Sequence, residues 1–178
     1  MSYMLKDKKG RWVKILEINE KLWKEMMQET LQGIIKLLES VDRLLNNGGN
    51  EAICAGLYTF AVEEYGKLLL LENYSPSSGK IQVKYKDEFR NHTEKFRIAI
   101  EHLPKECMRL YEAGFGDGFG NGFEKIRVIA DFEARLGIFY CDFTDSGDGI
   151  KPLPSVDKDR LKKAIDQFKA IAFKISIT

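Results

Sequence analysis

The chain has 178 residues, and its 28 basic and 27 acidic side chains almost cancel. This length is sufficient for one sizeable core, and no proline- or serine-rich segment divides it, so we expect a single domain over residues 1–178. The balance of charge excludes a strong overall attraction for polyanions. Any contact with RNA must therefore be local, and no DNA binding is predicted.

The three cysteines, Cys54, Cys107 and Cys141, are far apart and lack the close spacing of zinc and redox motifs. We therefore expect buried, reduced thiols, with no cofactor and no metal. The amino terminus has no apolar run of the kind found in signal peptides, and no stretch approaches the roughly 20 apolar residues that span a bilayer. These features predict a cytoplasmic protein with no membrane partner.

The first half of the chain predicts a helical hairpin. Apolar residues recur at three- and four-residue steps from Glu20 to Leu45, which is typical of a long amphipathic helix. Residues 46–50, Asn-Asn-Gly-Gly-Asn, can end one helix and cap the next. A second helix is then predicted over residues 51–73, with a broad apolar surface.

The later elements are also predicted to be helical. The expected order is a third helix from about Lys84 to about His102, a short helix at 105–113, a glycine-rich connecting loop at 114–123, a helix at 123–140, a loop at 142–154, and a final helix beginning at Ser155. Pro104 discourages continuation of the third helix. Together these elements predict an all-α antiparallel helical bundle.

Charged residues interrupt the apolar second helix within Ala61-Val62-Glu63-Glu64-Tyr65-Gly66-Lys67. An acid or lysine removed from water costs several kcal/mol unless it is paired or hydrogen-bonded. His92, on the third helix, lies in a second polar cluster. Two interpretations follow: Glu63, Glu64, Lys67 and His92 form a structural polar network between helices two and three, or these residues belong to a functional site.

The order of these motifs resembles the AbiV family of abortive-infection proteins. The resemblance extends from about residue 51 to residue 154. It rests on an Ala-x-Glu-Glu-x-Gly-Lys helix, a Phe-x-x-His-x-x-Lys helix, and a late Tyr-x-Asp followed by a proline. The matching residues are Ala61, Glu63, Glu64, Gly66 and Lys67; Phe89, His92 and Lys95; and Tyr140, Asp142 and Pro152.

The resemblance implies an HEPN-like domain that bacteria use against phage, acting on translation after a phage component is sensed. It also implies a homodimer, for which the apolar first helix is the expected surface. A phage protein and RNA are the expected partners. Many HEPN proteins are metal-independent ribonucleases with an arginine and a histidine at a dimer cleft, so a ribonuclease is the alternative. A helical adaptor or scaffold is a third reading, because fold does not fix function.

Ribonuclease chemistry defines the candidate catalytic residues. Cleavage by the ribose 2'-hydroxyl needs a group that exchanges a proton and a cation that stabilises the phosphorane. His92 with Arg90 or Lys95 can supply both. Either Glu63 or Glu64 can orient the imidazole. The alternative pair is Arg97 and His102, although Ile98 follows Arg97 where HEPN motifs usually have a polar residue, and His102 also suits a helix end.

Overall fold

A computed structural model describes residues 2–6, 8–74, 80–84, 91–108 and 156–175. The helices within these ranges are α1 (Glu20–Asn46), α2 (Glu51–Asn73), α3 (His92–His102), α4 (Lys105–Met108) and α5 (Lys158–Ala172). The predicted helical fold is confirmed. The predicted glycine-rich loop, the helix at 123–140 and the loop at 142–154 lie outside the described residues.

Explicit end signals fix the turn between α1 and α2. Gly48 adopts a positive φ of 77°, a conformation that glycine tolerates without steric cost. The Gly49 N–H then donates to the Leu44 carbonyl at 2.8 Å, which satisfies an orphan carbonyl at the end of α1. The Asn50 side chain accepts from the Ile53 N–H at 3.1 Å and caps α2. Both predicted helices are therefore confirmed, and α2 has the predicted bounds.

The core lies between α2 and its neighbours. Most of α2 is buried, because α1, α3 and α5 pack around it. The apolar stripe of α1 faces α2 and α5 of the same chain and is buried along its length, through Trp23, Met27, Leu31, Ile34, Leu38, Val41 and Leu45. This stripe cannot supply the dimer surface that the sequence suggested, because the subunit's own helices already cover it.

Buried polar atoms tie the helices together at both ends of α2. The Trp23 indole N–H donates to the Leu71 carbonyl at 2.8 Å, near the end of α2. The Tyr58 hydroxyl, which is fully buried, donates to the Cys107 carbonyl of α4 at 2.9 Å. The Tyr58 ring also meets Phe168 of α5 edge to face, with centroids 5.9 Å apart. The Trp23 indole and the Tyr58 hydroxyl therefore both have the partners that burial requires.

A small antiparallel sheet, which the periodicity did not predict, accompanies the bundle. Its strands are β1 (Ser2–Lys6), β2 (Trp12–Asn19) and β3 (Lys80–Lys84), in the order β1-β2-β3. The strand β2 leads directly into α1, and Ile18 pairs with Ile81 across to β3. The prediction that the third helix begins near Lys84 is therefore wrong, because Lys84 ends a strand and α3 begins at His92.

The two described cysteines confirm the prediction of buried, reduced thiols. Cys54 and Cys107 are both free and buried. Burial raises the pKa of the Cys54 thiol, and burial raises the pKa of Cys107 to about 11. Neither thiol is therefore an activated nucleophile near neutral pH. Cys141 lies outside the described residues.

An ion pair between α1 and α5 makes the stability of the fold depend on pH. Asp42 Oδ2 lies 2.5 Å from Lys169 Nζ, and the Asn46 side chain donates to Asp42 Oδ1 at 3.0 Å. The hydrogen bond from Lys169 lowers the pKa of Asp42 below its ordinary value. The stabilisation is therefore fully present above the ordinary carboxyl pKa and is lost as the pH falls through the lowered folded value.

We expect Asp42→Asn to lower the free energy of unfolding by about 1 kcal/mol at pH 7, because a charge-assisted hydrogen bond is lost. The difference from the wild type should shrink as the pH is lowered below about 4. Urea unfolding at a series of pH values measures both effects. Asp166→Asn, on the exposed side of α5, is the matched control and should change little. A difference that does not vary with pH would contradict this assignment.

Candidate functional site

The polar cluster is built on an unusually close contact between α2 and α3. A Cβ atom added at Gly66 of α2 would overlap the backbone carbonyl of Lys95 on α3, so only glycine permits this approach. Glu63 lies three residues before Gly66 and therefore on the same face of α2. The contact at Gly66 thus directs the Glu63 side chain toward α3.

The amino terminus of α3 supplies two partners of this carboxylate. The Asn91 side chain accepts from the Glu94 N–H at 3.2 Å, so the helix begins at His92. His92 and Lys95 are three residues apart and share the face that packs on α2. The α3 start observed here, later than the sequence predicted, therefore places His92 in the first turn.

One oxygen atom joins the cluster. Glu63 Oε1 lies 2.5 Å from Lys95 Nζ and 2.6 Å from His92 Nδ1. The side chains of Glu63 and Lys95 are each only 6% exposed, whereas that of His92 is 47% exposed. The carboxylate and the ammonium group are therefore a buried ion pair, and the imidazole is the member of the cluster that reaches the surface. We call these three residues the Glu63 triad.

The hydrogen bond to Glu63 defines the chemistry open to His92. An ionised carboxylate can only accept a hydrogen bond, so the hydrogen lies on Nδ1 of His92. The other ring nitrogen, Nε2, is then the atom that can take up or release a proton. A carboxylate that orients a histidine in this way is a common arrangement in general acid–base sites, and it is equally common as a structural contact.

The remaining residues of the predicted clusters lie elsewhere. Lys67 Nζ lies 3.2 Å from Glu64 Oε2, and both side chains are about one third exposed. Glu64 is therefore part of a separate surface pair, and Glu63 is the acid that contacts His92. Arg90, the proposed cationic partner of His92, lies outside the described residues.

The alternative pair, Arg97 and His102, lies further along α3. Arg97 forms ion pairs with Glu94 at 2.6 Å and with Glu101 at 2.5 Å. The hydrogen bond from Arg97 lowers the pKa of Glu94, and the same contact raises the pKa of Arg97. His102 Nδ1 lies 2.9 Å from the Ile98 carbonyl of its own helix, as expected for a helix-end residue.

Arg97 and His102 also line one shallow pocket, at the end of α2. Its other walls come from Leu70, Asn73 and Tyr74 of the α2 end and from Glu94, Ile98 and Glu101 of α3. The two glutamates hold the guanidinium of Arg97 from either side. Sequence reasoning missed these partners, although the spacing Glu94, Arg97, Glu101 shows three- and four-residue steps of opposite charge.

A family comparison identifies the fold. The family model HEPN_AbiV, described as AbiV, matches residues 22–172. The chain belongs to the AbiV family. No curated protein and no solved structure gives a match. Membership of the family indicates an abortive-infection protein of the HEPN type. The match begins inside α1, so β1 and β2 precede the part of this AbiV-family chain that the family model covers.

The described part of the chain contains neither a metal-binding cluster nor a membrane-spanning helix. There, no group of three histidine, cysteine, aspartate or glutamate side chains is placed to hold a metal ion. Nor does any helix in these ranges combine the length and apolarity needed to cross a membrane. The aspartates of the loop at 142–154 are not among the described residues.

We expect Gly66→Ala to lower the free energy of unfolding by about 2–3 kcal/mol, because the added methyl group forces α2 and α3 apart. This loss exceeds the gain of up to about 1 kcal/mol that alanine brings to a helix interior. Gly33→Ala in α1 is the matched control, since nothing lies within 4 Å of its added Cβ and only the gain applies. Thermal unfolding of both variants tests this, and equal stability would contradict the close contact.

A double-mutant cycle tests the buried ion pair. Lys95→Met or Glu63→Gln alone should each cost about 3 kcal/mol, because each leaves an uncompensated buried group. The double variant should cost much less than the sum of the two. The exposed pair Glu64→Gln and Lys67→Met is the control, with an expected coupling below about 0.5 kcal/mol. Additive effects at Glu63 and Lys95, measured by urea unfolding, would show that the pair is not coupled.

Proposed function

We propose that this AbiV-family protein stops phage propagation by blocking translation after it binds a phage component. In this proposal it acts by binding and not by cutting RNA. The observation that carries the proposal is that the cations near the two histidines are already paired with carboxylates. Lys95, which shares Glu63 with His92, and Arg97, which lines the same pocket as His102, are each held by a carboxylate of the same chain.

These carboxylates disfavour binding of an RNA phosphate. Lys95 is buried against Glu63, and Arg97 lies between Glu94 and Glu101. A phosphate would have to displace an acid from either cation, with like-charge repulsion from the acids that remain. The near-neutral charge of the chain adds no long-range attraction. A protein partner meets no such barrier.

The proposal also concerns the organisation of the protein. We expect residues 1–178 to form one domain, and the continuous family match over residues 22–172 supports this. We further propose a homodimer that acts in the cytoplasm. Since the apolar stripe of α1 is buried within the subunit, the dimer must use another surface.

A ribonuclease is the second candidate, and one observation favours it. The His92 imidazole is about half exposed and is held by Glu63 through Nδ1 at 2.6 Å. Its Nε2 nitrogen could exchange a proton with a ribose 2'-hydroxyl. The phosphorane would then need Arg90, or Lys95 released from Glu63, as its cation.

RNA integrity and protein synthesis, measured together after induction with and without phage, separate the two candidates. The variants are the wild type, His92→Ala and His102→Ala. His92→Ala leaves the Glu63 to Lys95 ion pair in place, so this variant should remain folded, which circular dichroism checks. We expect arrested synthesis after infection, intact RNA, and protection retained in both variants.

Cleavage of RNA that depends on either histidine would contradict the proposal. Discrete RNA products that are absent with His92→Ala would establish the ribonuclease and overturn the binding proposal. Products that instead require His102 would assign the chemistry to the pair of Arg97 and His102. Because the two histidines lie at opposite ends of α3, each variant serves as the control for the other.

A further inference from the structure

The connection between β1 and β2 concentrates positive charge. Residues 6–12 read Lys-Asp-Lys-Lys-Gly-Arg-Trp, with four basic residues and one acidic residue. This segment therefore has a net charge of +3, whereas the whole chain has a net charge of +1. The near balance of charge over the chain thus includes one strongly basic segment, and the remaining residues together are slightly acidic.

The basic segment lies at the surface. Residues 8 and 9 form a turn, and Gly10 follows with a positive φ of 75°, which glycine adopts without steric cost. The charged side chains described here are exposed on both sides of this glycine, together with the indole that follows them. We call these five residues the hairpin patch: Lys6, Lys8, Lys9, Arg11 and Trp12.

The hairpin patch contains a large aromatic ring in contact with solvent. Trp12 is 64% exposed. It pairs with Lys6 across the two strands, so the two side chains share a face of the sheet. Lys6 Nζ lies 5.2 Å from the centre of the Trp12 ring, a cation–π contact. An indole left in water forgoes the free energy of burying its apolar surface, and here it is presented beside cations.

The sheet holds the hairpin patch at a distance from the helical core. The strand β2 continues directly into α1, and Ile18 near its end is only 3% exposed and belongs to the core. Trp12 is the first residue of β2, six residues before Ile18, which corresponds to about 20 Å along a strand. The patch therefore projects from a fixed base. It also precedes residues 22–172, the part of the chain that the family model matches.

We infer that the hairpin patch binds single-stranded RNA. Lysine and arginine side chains neutralise phosphates, and an exposed aromatic ring stacks on an unpaired base. The choice of RNA rests on the proposed function, because a protein that blocks translation acts on machinery built largely of RNA. The inference adds a contact to that function: RNA is held at the hairpin patch, away from the carboxylates that surround Lys95 and Arg97 of α3.

An anionic membrane surface also attracts lysine and tryptophan, but it fits this patch less well. Membrane binding needs a broad apolar face as well as positive charge. Among the side chains described in the sheet, the exposed large apolar ones are Met4 and Trp12, and Lys6 lies beside the ring. This apolar area is small, whereas stacking of a base requires a single ring.

Removal of charge from the turn gives the first test. Fluorescence anisotropy measures binding of the full-length protein to a labelled, mixed-sequence single-stranded RNA of about 12 nucleotides. We expect Lys8→Gln with Lys9→Gln to raise the dissociation constant at least about tenfold at about 0.1 M salt, and to reduce the slope of log affinity against log salt by about 1.4. The control is Lys21→Gln with Lys24→Gln, which removes the same charge from α1, where each lysine already pairs with a glutamate. It should bind RNA almost as the wild type does.

Replacement of the ring gives the second test. Trp12→Thr keeps a residue that favours strands and removes the ring, so we expect about tenfold weaker binding with an unchanged salt slope. Trp12→Phe retains an aromatic ring and should restore most of the affinity. Circular dichroism checks that each variant remains folded. A loss that appears only in the salt slope would contradict stacking on Trp12.

The outcomes separate this inference from the proposed function. RNA affinity equal in the hairpin variants and in the α1 control would overturn the inference. So would co-sedimentation with phosphatidylserine vesicles that requires the hairpin patch while RNA affinity does not. RNA binding that requires the patch, together with unchanged protein synthesis after infection, would support the inference and overturn the proposed block of translation. Arrested synthesis with RNA binding that does not require the patch would do the reverse.

Discussion

The close approach of α2 and α3 at Gly66 determines the arrangement of the polar cluster. Because no side chain separates the two backbones there, Glu63 reaches both Lys95 and His92 from a single turn of α2. A wider separation would leave a carboxylate and an ammonium group buried without each other, at a cost of several kcal/mol. The buried ion pair therefore requires the close helix contact that Gly66 allows, and that contact in turn requires the buried charges of Glu63 and Lys95 to be paired.

The distribution of charge along α3 has a consequence for function. Its basic residues point into carboxylates, Lys95 toward α2 and Arg97 toward its own helix. The imidazole of His92 is the exposed polar end of an otherwise neutralised cluster. Such a helix is well placed to stabilise the bundle, and a nuclease that used Lys95 or Arg97 as its cation would first have to release that residue from its carboxylate. The ion pairs would thus keep such a nuclease inactive until a cation is released.

The sequence predicted the parts of the fold that local signals specify. The Asn and Gly residues of the turn fixed the bounds of α1 and α2, and the motif around Glu63 drew attention to the correct region. The sheet could not be predicted in the same way, because pairing of Ile18 with Ile81 depends on residues far apart in sequence. The choice of Glu63 over Glu64 likewise depends on the rotation of α2 about Gly66, which periodicity along one helix does not reveal.

The two tryptophans of the chain lie in contrasting environments. Trp23 is buried and donates its indole N–H to Leu71, whereas Trp12 is the most exposed of the large apolar residues described. Indole emission shifts to longer wavelength when the ring meets water, so opening of the bundle changes the emission of Trp23. Trp12 is already in contact with solvent and is accessible to a soluble quencher. Intrinsic fluorescence can thus distinguish events in the helical core from events at the sheet without an added label.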